Sequence, residues 1–337
     1  MSQSLNDIIK FIAQPSKGIL AADESIPTIT KRFNSINLES TQENRRAYRE
    51  LIFSTPHLGD YVSGAILFEE TLNDRTNQEK SFVALLKQQG IIPGIKVDKG
   101  LIPFLHAPDE KITQGLDGLN ERLSEYKKTG AEFAKWRAVF NVPPQSCSPL
   151  LIDINANRLA MYAAICQSHD VVPIVEPEIL MDGDHTIEQC ALISETVLHA
   201  VFSALFKHKV MLEYIILKPS MILSGKSAAK ISSSEQIADA TLSIFNRTVP
   251  AAVPSINFLS GGQSPEQASK NLNAINLLKP SPWNLSFSYG RALLDPCLKT
   301  WMGQADNIQA AQQALLKRAK LNSAAAQAKY TTNMENK

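Results

Sequence analysis

The chain has 337 residues, with 34 Lys or Arg against 33 Asp or Glu. A formal charge of +1 gives no bulk attraction to nucleic acid or an anionic membrane, although local phosphate sites stay open. A hydrophobic content of 44% fits a globular chain with a large core, built as one barrel-sized domain or two ordinary ones.

Leu5, Ile8, Ile9 and Ile12 recur at helical spacing and predict an amphipathic helix over residues 1–14. ILAAD (19–23) reads as a short buried strand ending on an acid. Residues 39–54 follow as a helix capped by Ser40 or Thr41, and 61–68 as a second strand. A helix over 76–89 precedes the third strand, 91–98, with Lys96 and Asp98 near its end. Residues 106–115 read as a polar loop and 118–130 as a helix. The fourth strand, FAKWRAVF (133–140), alternates Lys135 and Arg137 with Trp136. Beyond it come a helix (149–169), the fifth strand (171–179) and another helix (185–208). The sixth strand, near 215–217, ends on Lys218 and Pro219. A helix over 233–247, the seventh strand (255–262), a helix over 264–277 and the eighth strand (284–290) complete the alternation. Helices near 304–321 follow, and residues 329–337 read as a disordered polar tail.

Eight buried strands separated by helices predict an α/β fold, a (β/α)8 TIM barrel with extra terminal helices. A doubly wound open sheet would need a glycine fingerprint after an early strand, and none is present. With no dividing linker rich in Gly or Pro, residues 1–328 are expected to form a single domain and 329–337 a short tail. No apolar run reads as long enough to span a bilayer, and Asn6 and Asp7 interrupt a signal-peptide pattern. Cys147, Cys166, Cys190 and Cys297 show no CxxC spacing, which predicts reduced thiols and a cytoplasmic protein. His185, His199 and His208 lack metal-ligand spacing, so no metal and no cofactor are expected.

In a barrel the site lies at the C-terminal ends of the strands. Asp23, Lys96, Lys135, Arg137, Glu176, Glu178, Lys218, Ser260 and Arg291 all fall there. Lys218 is the central candidate. A lysine closing a buried strand is either an ordinary lysine whose head reaches water, or an amine able to form a Schiff base with a carbonyl. A second cation, with Lys135 the best candidate, would disfavour its protonation. Glu176 or Glu178 would give and take the protons of carbinolamine formation, and their proximity is expected to raise one of the two pKa values. Asp23 reads either as a base for a substrate hydroxyl or as the N-cap of a following turn. LSGG (259–262) and SYGR (288–291) end strands seven and eight, the usual phosphate position of this architecture, unless they are two ordinary glycine turns. Ser25, Thr28 and Arg32 follow strand one, where they suit a second phosphate or a helix cap.

These stretches resemble the class I, Schiff-base fructose-1,6-bisphosphate aldolases. The matches are GILAADES (18–25), GIKVDKG (94–100), TQGLDGL (113–119), FAKWR (133–137), IVEPEIL (174–180), DGDH (182–185), LKPSM (217–221), FLSGGQS (258–264) and FSYGRAL (287–293), and they cover almost the whole chain. The resemblance implies reversible aldol cleavage of fructose 1,6-bisphosphate to dihydroxyacetone phosphate and glyceraldehyde 3-phosphate, in glycolysis and gluconeogenesis. It implies Lys218 as the Schiff-base lysine and Glu176 as general acid and base, with Asp23, Lys135 and Glu178 assisting. Ser260, Gly261, Gly262, Ser288, Gly290 and Arg291 would face the phosphate beside the ketone. Ser25, Thr28, Arg32 and Lys96, with Arg45 and Arg137 as contributors, would face the distal phosphate or sugar hydroxyls. It also implies a homotetramer with a small sugar bisphosphate as its partner molecule, and neither nucleic acid nor membrane.

Two departures stand out. Animal members end on a tyrosine that assists a proton transfer; here Tyr330 lies seven residues before Lys337 and is not given that role, so protonation of the carbanion is expected to be slower or to use another acid. Ile26-Pro27-Thr28 replaces a more glycine- and serine-like turn, so distal phosphate contacts are expected to differ. Two other readings stay open: a Schiff-base barrel acting on another sugar phosphate, and a non-catalytic scaffold that keeps the barrel.

Overall fold

The apolar runs pair as parallel strands because each buries both faces, one inside a closed sheet and one beneath a helix. In the computed structural model, which describes residues 4–105, 107–143, 147–278 and 280–336, these strands are β1 Gly18–Ala22, β2 Val62–Leu67, β3 Ile92–Lys96, β4 Phe133–Phe140, β5 Val172–Ile179, β6 Ile216–Leu217, β7 Ser255–Phe258 and β8 Asn284–Tyr289. They close into a barrel in chain order, β8 pairing back onto β1. The expected fold is therefore the observed one.

Side chains alternate along each strand, so residues two apart share a face. The inward columns change character with height. Ile19, Ile66, Ile92, Phe133, Val172, Ile174 and Ile216 form an apolar lower layer. One step higher stand Lys135, two residues past Phe133, Glu176 past Ile174 and Lys218 past Ile216, all buried. The lower layer is closed from beneath by α1, Leu5–Ile12, whose Leu5, Ile8, Ile9 and Ile12 join it. Ser4 caps that helix, accepting from the Asp7 N–H. Phe133 fills the floor because Gly94 has no side chain: a Cβ there would lie 2.3 Å from its ring. The barrel is thus packed below and polar above.

Helices cover the outside. Those used below are α2 Ile26–Asn34 after β1, α3 Pro265–Leu277 after β7, α4 Arg291–Trp301 after β8, and α5 Ile308–Ala326. The outer helix Ile187–Lys207 corrects one expectation, since by length and composition it is apolar enough to cross a membrane. Here it lies against the barrel with Ile193, Val197, Leu198, Val201 and Leu205 buried, as a core helix does.

Three local readings also differ. The loop expected at 106–115 is largely one arm of an antiparallel hairpin, Leu101–Phe104 with Ala107–Thr113. The helices α2 and α4, unread in the sequence, start directly after strand ends, with Ser25 and Gly290 as N-caps. The tail expected to be disordered packs back on the barrel's outer helices: Tyr330 is buried, residues 332–336 form a 3-10 turn, and Glu335 accepts from Arg318 at 2.7 and 2.8 Å. Expectations for residues 1–3, 106 and 337 lie outside the described residues.

Candidate active site

The polar upper layer opens into a cavity of about 550 Å³ at the C-terminal ends of the strands. Lys218 ends the β6 ladder, its backbone N–H donating to Val175 O at 2.8 Å, so its side chain continues the inward column of Ile216. Only 3% of Lys218 and 3% of Glu176 is exposed. Lys218 Nζ lies 3.1 Å from Glu176 Oε1. Glu176 Oε2 faces Lys135 Nζ at 3.3 Å, and Lys135 Nζ reaches Asp23 Oδ2 at 2.7 Å. Four ionisable side chains from β1, β4, β5 and β6 therefore form one chain of contacts across the mouth.

The charges in that chain are fixed by their neighbours. Burial alone would raise the Asp23 carboxyl, but the ammonium groups of Lys135, Lys218 and Lys96 outweigh it and hold the pKa well below the usual range. Burial also opposes charge on Lys135, yet the carboxylates of Asp23, Glu176 and Asp98 keep its pKa well above that of an ordinary lysine. Lys135 is thus a permanent cation one carboxylate away from Lys218. Glu178 corrects the expected like-charge effect at that position. Burial pushes its carboxyl up, but Arg137, Lys218 and Arg291 pull it below the usual value, and Arg137 Nε hydrogen-bonds it directly.

The remaining candidates divide into two sets. In one, Ser260 and Gly261 follow β7, and Ser288, Gly290 and Arg291 end β8; all five line the cavity. Ser288 Oγ is buried with no hydrogen-bond partner among the described residues. The Arg291 guanidinium likewise makes no hydrogen bond among them, which leaves its forked donors available. Gly262 is not among the lining residues; it turns the loop at φ +79° and packs beside Lys226.

Next to them, after β1, which pairs with β8, Ser25, Thr28 and Arg32 line the cavity at the start of α2. Ser25 makes no side-chain cap bond; its Oγ pairs instead with Thr28 Oγ1 at 3.1 Å. Lys96 and Arg137 also line the cavity, Lys96 held by Asp98 at 2.6 Å. Arg45 is different: it lies outside the cavity, with Nε and Nη2 on the two oxygens of Glu70 at 2.8 and 2.6 Å and Nη1 on Ser40 O at 2.6 Å. Its donors are occupied, so the structure does not bring it to the candidate site.

Sequence reasoning missed Glu24 and Asp295, which also line the cavity. Glu24 is buried between Arg32 at 2.5 Å and Arg49 at 2.7 Å. The only sequence signal was an acid pair, Asp23-Glu24, at a strand end, with arginines downstream.

A model of the class-I fructose-bisphosphate aldolase family matches residues 4–337. The chain belongs to the class I fructose-bisphosphate aldolase family. Among relatives of this aldolase, fructose-bisphosphate aldolase 1 of Toxoplasma gondii is 53% identical over 332 residues, 98% of this chain and 92% of that protein. The cytoplasmic isozyme of Spinacia oleracea is 53% identical over 321 residues, covering 95% and 90%. A solved structure of the Plasmodium falciparum aldolase, in complex with TRAP and a small-molecule inhibitor, superposes with a TM-score of 0.96 at 50% identity, covering 97% of this chain and 95% of that one. The class I aldolases are lyases that cleave fructose 1,6-bisphosphate in glycolysis, and the barrel found here is their fold.

Proposed function

We propose that Lys218 forms the Schiff base of this aldolase and that Glu176 moves the protons around it. The observation that carries the reading is the 3.1 Å contact between Lys218 Nζ and Glu176 Oε1 inside the cavity, whose mouth also carries two sets of anion-holding groups. Neutral Nζ attacks the ketone carbon C2 of the open-chain sugar, and the carbonyl oxygen takes a proton to give a carbinolamine. Glu176, as a carboxylic acid, donates a proton to the departing hydroxyl; water leaves and an iminium forms. Asp23, held anionic beside Lys135, then accepts the proton of the C4 hydroxyl. The C3–C4 bond breaks, the C4 oxygen becomes the aldehyde of glyceraldehyde 3-phosphate, and the bonding electrons enter the iminium as an enamine. Protonation at C3 and hydrolysis release dihydroxyacetone phosphate and regenerate the amine. Lys135 supports the sequence by keeping Asp23 and Glu176 close to a fixed positive charge. Glu178 orients Arg137 toward the substrate.

The two sets give the substrate its direction. Ser260, Gly261, Ser288, Gly290 and Arg291 hold the phosphate beside the ketone, and Arg291 offers a forked donor at the N-terminus of α4. Ser25, Thr28, Arg32 and Lys96 hold the distal phosphate. Binding energy from the two ends places C2 beside Lys218. We place this activity in one unit, residues 1–328, with 329–337 appended to it. The protein acts in the cytoplasm, a reading supported by the Spinacia relative's name and by four unpaired cysteines. It assembles as a homotetramer, to be checked by sedimentation.

Steady-state cleavage of fructose 1,6-bisphosphate tests the reading. Activity should survive EDTA and should vanish in Lys218→Met. Full turnover by Lys218→Met, or loss of wild-type activity on chelation, would overturn it.

A further inference from the structure

Asp295 is a carboxylate lining the cavity beside Arg32 and Arg291, two groups suited to anions. It lies four residues past Arg291 on α4, so the two side chains share a helix face. Its Oδ1 stands 3.9 Å from Arg32 Nη1, and its side chain is 38% exposed. That guanidinium nitrogen is already held at 2.5 Å by Glu24, which is buried behind it. That nitrogen, itself buried, therefore faces two acids, Glu24 behind it and the more exposed Asp295 at the cavity wall. A phosphate reaching Arg32 from the cavity would come close to Asp295. At 3.9 Å the Asp295 contact is an ion pair without a direct hydrogen bond, so a ligand has no strong bond to break in displacing it. Burial raises the Asp295 carboxyl above the usual range, with Arg32, Arg291 and Lys299 pulling the other way and Glu24 adding to the rise.

We propose that Asp295 is a specificity-determining residue that weakens the hold on the distal phosphate by competing for Arg32 and repelling the second dianion. This rests on the assignment of Arg32 to the distal phosphate made above. A carboxylate a few ångströms from a dianion at the mouth of a polar cavity imposes a cost that a monophosphate, with no second anion, escapes. Asp295 thus sets the ratio of affinities for substrates with one and two phosphates. A purely structural role, such as steadying Arg32, predicts the opposite sign: removing the carboxylate would loosen the arginine and weaken binding.

Initial rates on fructose 1,6-bisphosphate and fructose 1-phosphate, measured with the full chain and with Asp295→Asn and Asp295→Glu, separate these. Asp295→Asn should lower KM for the bisphosphate about three- to tenfold, the change being carried by KM rather than kcat, and shift KM for the monophosphate less than about twofold. Asp295→Glu, which keeps the charge, should restore the wild-type ratio. An unchanged or higher bisphosphate KM in Asp295→Asn, or equal falls for both substrates, would overturn the proposal. Should Asp295→Asn fail to fold, Asp295→Ser is read in the same way. Wild-type protein that fails to cleave the bisphosphate contradicts the functional reading itself; active wild type with an indifferent Asp295→Asn contradicts only the role of Asp295.

Discussion

Glu176 Oε1 lies 3.1 Å from Lys218 Nζ, and the two residues come from adjacent strands, β5 and β6. A carboxylate this close to a buried amine serves two ends. It supplies the counter-charge that makes burial of the lysine tolerable, and it is placed to exchange protons with atoms bonded to that nitrogen. Glu176→Gln should therefore lower kcat about 10²- to 10⁴-fold, as expected for loss of a general acid and base, with a much smaller effect on KM. Steady-state kinetics on fructose 1,6-bisphosphate reads this. A fall in affinity at unchanged kcat would assign Glu176 to binding alone.

Acid lability should trace in part to Glu24. Burial alone would raise its pKa, but Arg32 and Arg49 together hold it below the ordinary 4.5. The unfolded chain then binds a proton before the folded one does, so Glu24's stabilising contribution is present above about pH 4.5 and is lost as pH falls through the folded-state value. Glu24→Gln removes that contribution at every pH. It should cost about 3–5 kcal/mol at neutral pH, because Arg49 stays buried without its partner. Urea unfolding at about pH 7, 5 and 3 should show a smaller loss between pH 5 and 3 in Glu24→Gln than in wild type; a larger loss contradicts the assignment.

A buried charge anchors the C-terminal segment. Arg318 is 3% exposed; its Nη1 donates to both Glu335 oxygens, and its Nη2 donates to Pro265 O and Ser269 Oγ, both at 2.6 Å. Tyr330 Oη donates to Glu335 at 2.8 Å. Glu335→Ala leaves the guanidinium buried without its carboxylate, at a cost of about 3 kcal/mol or more. The variant should unfold at lower denaturant and expose the segment after Tyr330 to limited proteolysis. Wild-type stability in that variant would show that the contact contributes nothing.

Floor packing gives a test one layer below the site. Gly94→Ala forces a methyl group against the Phe133 ring, with Cβ 2.3 Å from ring carbons, and an over-packed core costs about 1–3 kcal/mol. Denaturant midpoint should fall while kcat per folded molecule stays close to wild type. A midpoint at or above wild type would mean that the ring moves aside freely.

Arg45→Ala should leave KM for the bisphosphate within about twofold, because Glu70 and Ser40 already take its donors outside the cavity. A rise in KM of tenfold or more would return Arg45 to the substrate.

Much of this architecture was legible in the sequence, and the reasons are local. Each barrel strand is an apolar run buried on both faces, and Asp23, Lys96, Glu176 and Lys218 stand out because a charge ends or follows such a run. What stayed hidden depends on partners distant in the chain. Glu24 is defined by Arg49, 25 residues on, and Asp295 by Arg32 across the barrel seam. The resemblance placed Arg45 among the substrate contacts, and Glu70, 25 residues on, could not be seen beside it. The hairpin arm 107–113 is mostly polar and the facing Leu101 and Ile102 are exposed, so neither arm carries the alternation of a half-buried strand. The C-terminal segment looked disordered from its polarity, but Tyr330 and Glu335 meet a buried arginine that composition does not reveal.

The chemistry assigned to Lys218 has a direct readout. Borohydride added during turnover of fructose 1,6-bisphosphate should reduce the iminium and leave a stable secondary amine, and peptide mass spectrometry should place a dihydroxyacetone phosphate or fructose bisphosphate adduct on Lys218. An adduct on another lysine, or undiminished turnover in borohydride with no adduct at all, would contradict the account.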